Sequence, residues 1–480
     1  MELELPDDIE SLKAIVKKLL VEIEQLKAKN AELTAENAEL RGRLDKNSGN
    51  SHKPPSTDGL TKKPALPKSQ TSNNGGQKGH KGNTLRQVSE PDHIVYHYPE
   101  ICSCCGKTFH QKHIEVISKR QVFDLPPQKL IVTEHQLGQA ICDCGHTVTG
   151  TYPSHITQPA QYGAKVKALS VLLSVQYRLP QEQICQLFID LYGYSLNTGT
   201  VIHALDTAYT QLQPIETQIK NQLLQEKIAH YDETGIRVEG KTQWLHTACS
   251  AQYTYLFVHA KRGQEALKSA PSLIKDFNHY AVHDCWASYF IFTCFHVICN
   301  AHILRELTAL IEQGSVWASL FHAFLLDCYQ KNIAKESVEV RFSEILIQAN
   351  REEPVACKTP KTRGRPKKTK GRWLLDRLIH YKASILAFIF DSDIPFTNNQ
   401  AERDIRCVKI KMKVSGSFRT TQGANAYARI QSVISTLRKQ NMDVFGSLCA
   451  LFSHNVSDLS LIHISEPTRR TPISYAVFCL

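Results

Sequence analysis

Leucine recurs every seventh residue at the start of the chain, at Leu12, Leu19, Leu26, Leu33 and Leu40. The positions between them are Ile9, Val16, Ile23, Asn30, Asn37 and Leu44. Leu at d with Ile or Val at a favours a parallel two-stranded coil, and an Asn at a fixes register at some cost in stability. A lone amphipathic helix would show a similar stripe, but five leucines in register favour the coil, so residues 1–45 are expected to form a homodimer. The periodicity then stops. Residues 46–92 are rich in Ser, Asn, Gly, Pro and Lys, as in K-N-S-G-N-S-H-K-P-P and S-N-N-G-G-Q-K-G-H-K-G, and read as a disordered linker. A helical period returns over 165–224, with a helix, a turn containing Gly193, and a second helix capped at Ser195 or Asn197. That arrangement is either an ordinary helical hairpin or a helix-turn-helix whose second helix enters a major groove.

Further along, the period changes to two. Residues 228–232 read as a short strand ending on Asp232, and 243–249 and 253–260 as two more, separated by short turns. Residues 263–277 then read as a helix, 280–283 as a strand ending on Asp284, and 296–299 as a strand running into a helix near Ala301. Strand-strand-strand-helix-strand-helix-strand-helix is the ribonuclease H-like order. In that fold the first and fourth strands are neighbours, so Asp232 and Asp284 would face each other. The 117 residues between Asp284 and Glu402 exceed what a minimal fold of this kind uses. Helical patterns over 315–350 and 373–390 predict an inserted helical segment at about 314–392.

The chemistry converges on T-N-N-Q-A-E-R-D-I-R, residues 397–406, which sets Glu402 in a helix with Arg403, Arg406, Lys409 and Lys411. A carboxylate inside a cationic face suits metal-assisted phosphodiester chemistry, the acid holding a divalent ion and the cations the backbone. The plain alternative is an exposed Glu402–Arg406 pair worth a few tenths of a kcal/mol, and Asp at a strand end is common in its own right. Three acids in this order, on these elements, are harder to explain that way.

The pieces Y-D-E-T-G, V-H-D-C-W, C-N-A-H-I-L-R-E-L, T-N-N-Q-A-E-R-D-I-R and S-G-S-F-R-T-T-Q-G-A together resemble the DDE transposases of the insertion-sequence 66 family, over roughly residues 8–455. The resemblance implies that Asp232, Asp284 and Glu402 hold two Mg²⁺ ions, with Mn²⁺ as an alternative. These would lie about 3.5 to 4 Å apart, one activating water to free a 3′ end and the other stabilising the leaving oxygen. It implies three carboxylates within about 4 to 8 Å, phosphate clamping by Arg403, Arg406 and Lys409, and DNA (element ends and target) as partner. Small accessory proteins of the same element are further partners it suggests. Cys299 and His302 fit a C-x-x-H signature of many DDE transposases, as catalytic support together with Arg305 or as packing at a strand-to-helix turn.

Charge and cysteine content sharpen this. The net charge of +11 concentrates in 46–90, with eight Lys/Arg against two acids, and in 358–372, with eight Lys/Arg and no acid. The rest of the chain is at about −3. Both runs are solvated linkers or DNA contacts, and DNA binding through them would weaken steeply with salt. The second holds Arg363, Arg365, Lys367 and Lys368, and its R-G-R-P core resembles a minor-groove AT-hook. Fifteen cysteines, an odd number in a long chain, argue for reduced thiols and metal ligands. Cys102 and Cys105, then Cys142 and Cys144, form two pairs each followed by glycine, which suits one structural Zn²⁺ in a ribbon with strands near 121–123 and 130–133. Cys104, His110 and His146 are alternative ligands, and buried free thiols the alternative to zinc. No apolar run reaches the roughly 18 residues that span a bilayer, so a cytoplasmic protein with no membrane partner is expected; the family implies a bacterial, nucleoid-associated one.

The expected fold class is therefore multidomain α+β. It comprises a coiled coil (1–45), a basic linker (46–92), a zinc ribbon (93–155) and a helical helix-turn-helix-like region (156–224). A ribonuclease H-like catalytic domain (225–455) follows, and then an atypical tail (456–480) that departs from the family pattern. Besides a transposase, a dimeric zinc-containing DNA-binding regulator without catalysis and a nuclease that cleaves without joining share most of these features. The intact acids speak against the regulator.

Overall fold

The computed structural model describes residues 8–44, 50, 85, 87–97, 100–108, 116–330, 333–355 and 368–453. The tail at 456–480, most of the 46–92 linker, and Arg363, Arg365 and Lys367 lie outside the described residues. The heptad segment forms one helix, α1 (Ile9–Leu44), whose Val16, Leu19, Ile23, Leu26 and Leu33 stay largely exposed. The cysteine region contributes a small antiparallel hairpin, β1 (Gln139–Ile141) and β2 (Thr147–Thr149). Residues 121–123 and 130–133, expected as strands, are irregular. Val122, Ile131 and Val132 are almost fully exposed, so their β-prone side chains have no sheet face to pack on.

The helical region forms α2 (Ala164–Val175), α3 (Gln181–Tyr192), α4 (Thr198–Gln211) and α5 (Gln213–Gln225). Gly193 closes α3 at φ 64°, a left-handed conformation glycine adopts without strain. Asn197 then caps α4, its side chain accepting from the Gly199 N–H at 2.7 Å. Ala168, Val171, Ala204, Ala208, Ile215 and Ile219 belong to the same core as the sheet that follows. The helical region is thus welded to the body of the sheet, and α4 packs against α2 and later helices rather than standing free. It carries no Lys or Arg.

The sheet has the order β5-β4-β3-β6-β7: β3 (Ile228–Val238), β4 (Lys241–Cys249), β5 (Thr254–His259), β6 (Tyr280–His283) and β7 (Phe295–Ile298). β3, β4 and β5 pair antiparallel, while β6 pairs parallel to β3 and β7 parallel to β6. β3 runs on past Asp232 to Val238, because β4 stays paired along its whole length. The helix expected over 263–277 reduces to α6 (Gln264–Lys268) followed by turns. Pro271 has no N–H to donate and disfavours helix before it, and Leu273, Ile274 and Phe277 reach the core from irregular backbone.

After β7 come α7 (Asn300–Ile311), α8 (Val316–Tyr329), α9 (Lys335–Glu352), α10 (Lys370–His380) and α11 (Lys382–Phe390). α8 to α11, the segment expected as an insertion, share with α7 and the end of β7 a second core that includes Trp317, Phe321, Phe324, Phe342 and Leu375. The chain then returns as α12 (Asn399–Ser415), α13 (Thr421–Lys439) and α14 (Val444–Phe452). α12 lies against β3 and β4, and α13 against β5. No helix among the described residues is long and apolar enough to cross a membrane.

Candidate active site and metal centres

The β3–β6 pairing ends at His230 opposite Val282. Continuing that register by two residues sets Asp232 level with Asp284, just beyond the last paired residues of the two strands. α12 crosses β3 and delivers Glu402 in its first turn. One side chain then bridges two of the acids: His302 Nδ1 lies 2.8 Å from Asp284 Oδ1, and its Nε2 lies 3.9 Å from Glu402 Oε1. Among the described ion pairs, Glu402 meets His302 rather than Arg406.

The electrostatics are those of a crowded anionic site. Burial, then the charges of Asp284 and Glu233, push the Asp232 carboxyl up to about 8, against the weaker pull of the Glu233 N–H and Lys409. Burial disfavours a charged His302, but its hydrogen bonds to Asp284 and Cys299 outweigh that and push it up to about 10. Asp284, Cys299 and His302 present ligand atoms within 4.8 Å of one another, the only such group of three among the described residues. Carboxylates that repel one another in a partly buried pocket and recruit a histidine as counter-charge suit a divalent cation.

Glu233 points the other way, as expected from strand alternation. Its carboxylate accepts from Tyr289 Oη at 2.6 Å and from Arg262 Nε at 2.9 Å. The Arg262 guanidinium sits between the rings of Trp244 and Trp286, 5.0 and 4.5 Å from their centroids. Asp404, two residues past Glu402, is tied down by Lys439 Nζ at 2.6 Å and by Thr254 Oγ1 at 2.9 Å, anchoring α12 to α13 and β5. Of these two acids, Glu233 is the one that strand alternation sets apart from Asp232, and the second, Asp404, was not singled out in the sequence. The i,i+2 spacing of Glu402 and Asp404, which sets two acids on different helix faces, was the available signal for the second.

Arg403, Arg406 and Lys409 are exposed along α12, with Arg403 Nη2 donating to Gln400 Oε1 at 2.6 Å. Lys409 is near enough to Asp232 to favour its ionised form. Cys299 is fully buried at the start of α7, and Arg305 lies partly buried nearly two turns beyond it. Lys368 is engaged with Asp376 at 2.6 Å beside the Trp373 ring.

The cysteine pairs sit in two matching turns. Cys102 N–H donates to the Lys107 carbonyl and Gly106 N–H to the Cys102 carbonyl, each at 2.9 Å. Cys142 N–H donates to the His146 carbonyl and Gly145 N–H to the Cys142 carbonyl, each at 2.8 Å, in a loop one residue tighter. Gly106 and Gly145 take φ of 70° and 83°, which explains the glycine after each pair. Hydrogen bonds from the Cys105 and Cys104 backbone lower the Cys102 thiol, and those from Cys144 lower Cys142, favouring thiolate. This donor set fits zinc. No three of these four thiols lie within 4.8 Å of one another, so each pair is formed but the two are not drawn to one point.

The zinc-finger binding domain of transposase IS66 matches residues 99–145, and a family of unknown function matches residues 4–86. No curated protein matches the chain. The model of the Transposase IS66 family matches residues 159–426, from α2 through Asp232, Asp284 and Glu402 into α13, which is more than half of the chain. The chain belongs to the IS66 transposase family, and its cysteine region to that family's zinc-finger domain.

Proposed function

We propose that the protein is a metal-dependent DDE transposase that cleaves the ends of a mobile element and joins them to target DNA. The observation that carries this reading is the approach of Asp284 and Glu402 to the two sides of one imidazole, beside an Asp232 that feels the Asp284 charge. A sheet of three antiparallel strands extended by two parallel ones has the ribonuclease H-like order, which supports the same assignment. Asp232, Asp284 and Glu402 are the residues that would hold Mg²⁺ or Mn²⁺. When bound, such ions supply Lewis-acid chemistry at the scissile phosphodiester and activation of the attacking hydroxyl.

The chain's own contributions follow from the site. His302 orients the Asp284 carboxylate through its hydrogen bond and keeps it turned toward Glu402. Arg403, Arg406 and Lys409 line the exposed side of α12 and would neutralise phosphates on either side of the acids, positioning DNA without reading sequence. The basic residues at 358–372 would add sequence-independent attraction. α1, whose apolar stripe is uncovered within the chain, would pair two copies so that two element ends are held together. Zinc at Cys102, Cys105, Cys142 and Cys144 would rigidify the segment between coil and catalytic body.

The decisive experiment supplies a pre-cleaved element end bearing a 3′-hydroxyl and measures its joining to plasmid DNA in Mg²⁺. Wild-type protein should join it. Asp232→Asn, Asp284→Asn and Glu402→Gln should fold and bind DNA but neither cleave nor join. Near-wild-type cleavage by any one of the three would defeat the assignment, and cleavage without joining would make the protein a nuclease.

A further inference from the structure

Asn398 immediately precedes α12 and is completely buried. At that position an Asn side chain ordinarily accepts a hydrogen bond from the backbone N–H two or three residues on. Here it makes no such bond. The side chain turns into the sheet instead, Nδ2 donating to the Tyr231 carbonyl at 2.8 Å and Oδ1 accepting from His230 Nδ1 at 2.9 Å. The backbone of the same residue is also committed. Its N–H donates to Cys299 Sγ at 3.1 Å, and its carbonyl accepts from the Glu402 N–H at 3.3 Å.

These four bonds lead to all three acids. Tyr231 precedes Asp232 on β3. Cys299 opens the helix that holds His302 against Asp284. Glu402 is bonded directly. The three elements are far apart in the chain, and Asn398 touches each. We propose that Asn398 is a positioning residue that sets Glu402 in register with Asp232 and Asp284, so that its side chain governs how tightly the acids take a divalent cation. This inference rests on the metal-site reading above.

An alanine at 398 would leave the Tyr231 carbonyl and the His230 ring without those partners in a dry interior and would untie the start of α12 from β3. Groups that orient metal-binding side chains typically change metal affinity by about 10- to 100-fold when removed. The test is titration calorimetry of the zinc-loaded full chain with Mn²⁺ alone, alongside thermal melts. Asn398→Ala should bind Mn²⁺ at least about tenfold more weakly than wild type. The control is Ser432→Ala, which removes a buried bond to the Leu256 N–H in the contact between α13 and β5. It should lower the melting temperature while leaving Mn²⁺ affinity within about twofold. Asn398→Asp keeps the acceptor for His230 and loses the donor to Tyr231, and it decides by the same criterion if the alanine variant does not fold. Wild-type Mn²⁺ affinity in the folded Asn398 variant, with binding lost in Glu402→Gln, would overturn this proposal and leave the metal site standing. Wild-type affinity in Glu402→Gln would overturn both.

Discussion

Replacing Asp232 by Asn should stabilise the metal-free protein, and more so as the pH rises. Burial, then the charges of Asp284 and Glu233, push this carboxyl from its ordinary 3.8 up to about 8. A group that holds its proton more tightly when folded contributes stability that is fully present below about pH 4 and is lost as the pH climbs through about 8. Across that window unfolding lets Asp232 ionise in water, so the wild-type body weakens with each pH unit. Each pKa unit is worth about 1.4 kcal/mol, which sets a ceiling of about 5 to 6 kcal/mol. Asp232 retains a partly open edge, and relaxation inside proteins corresponds to an effective dielectric of about 20, so about 2 kcal/mol is expected. Asn keeps an oxygen for the Glu233 N–H, which Asp232 Oδ1 accepts at 2.8 Å, and has no charge to bury. For a body of this size about 2 kcal/mol is about 6 °C. Thermal melts of zinc-loaded protein without Mg²⁺ should show Asp232→Asn melting about 6 °C above wild type near pH 8.5, with the gap closing as the pH falls toward about 4. Added Mg²⁺ should reverse the order, because the cation stabilises only the site that binds it. A gap that does not change with pH, or a less stable Asp232→Asn near pH 8.5, would refute the electrostatic account of the site.

Elemental analysis of purified protein should find about one zinc per chain, and replacing Cys102 and Cys105 together by Ser should remove it; a wild type without zinc would end that assignment. A peptide of residues 1–46 should sediment as a parallel dimer at tens of micromolar, whereas a monomer would remove the zipper. Replacing Arg406 and Lys409 together by Gln should weaken DNA binding in gel-shift assays and lower the slope of log affinity against log salt by about 2. An unchanged slope would mean that α12 does not touch the phosphates.

Local chemistry made much of this protein legible from its residues. Heptads define α1 because apolar spacing acts within one helix, and the Gly after each cysteine pair marks a left-handed turn that backbone geometry requires. The order of short strands around Asp232 and Asp284 matches the sheet because alternation and turn residues are also local signals. Local signals misled where competition was local too, as at Pro271, which cuts the expected helix to Gln264–Lys268. What only the tertiary structure decided depends on residues remote in sequence. His302 becomes the link between Asp284 and Glu402, Glu233 is drawn off by Arg262 and Tyr289, and Asn398 gives up its helix cap for the sheet. The α2–α5 region likewise shares the sheet's core while keeping a small cluster of its own around Ile184, Phe188, Leu196 and Val201. Each outcome turns on which partner a buried polar group or apolar face meets after collapse. Periodicity along a chain can name the face, but only packing supplies the partner.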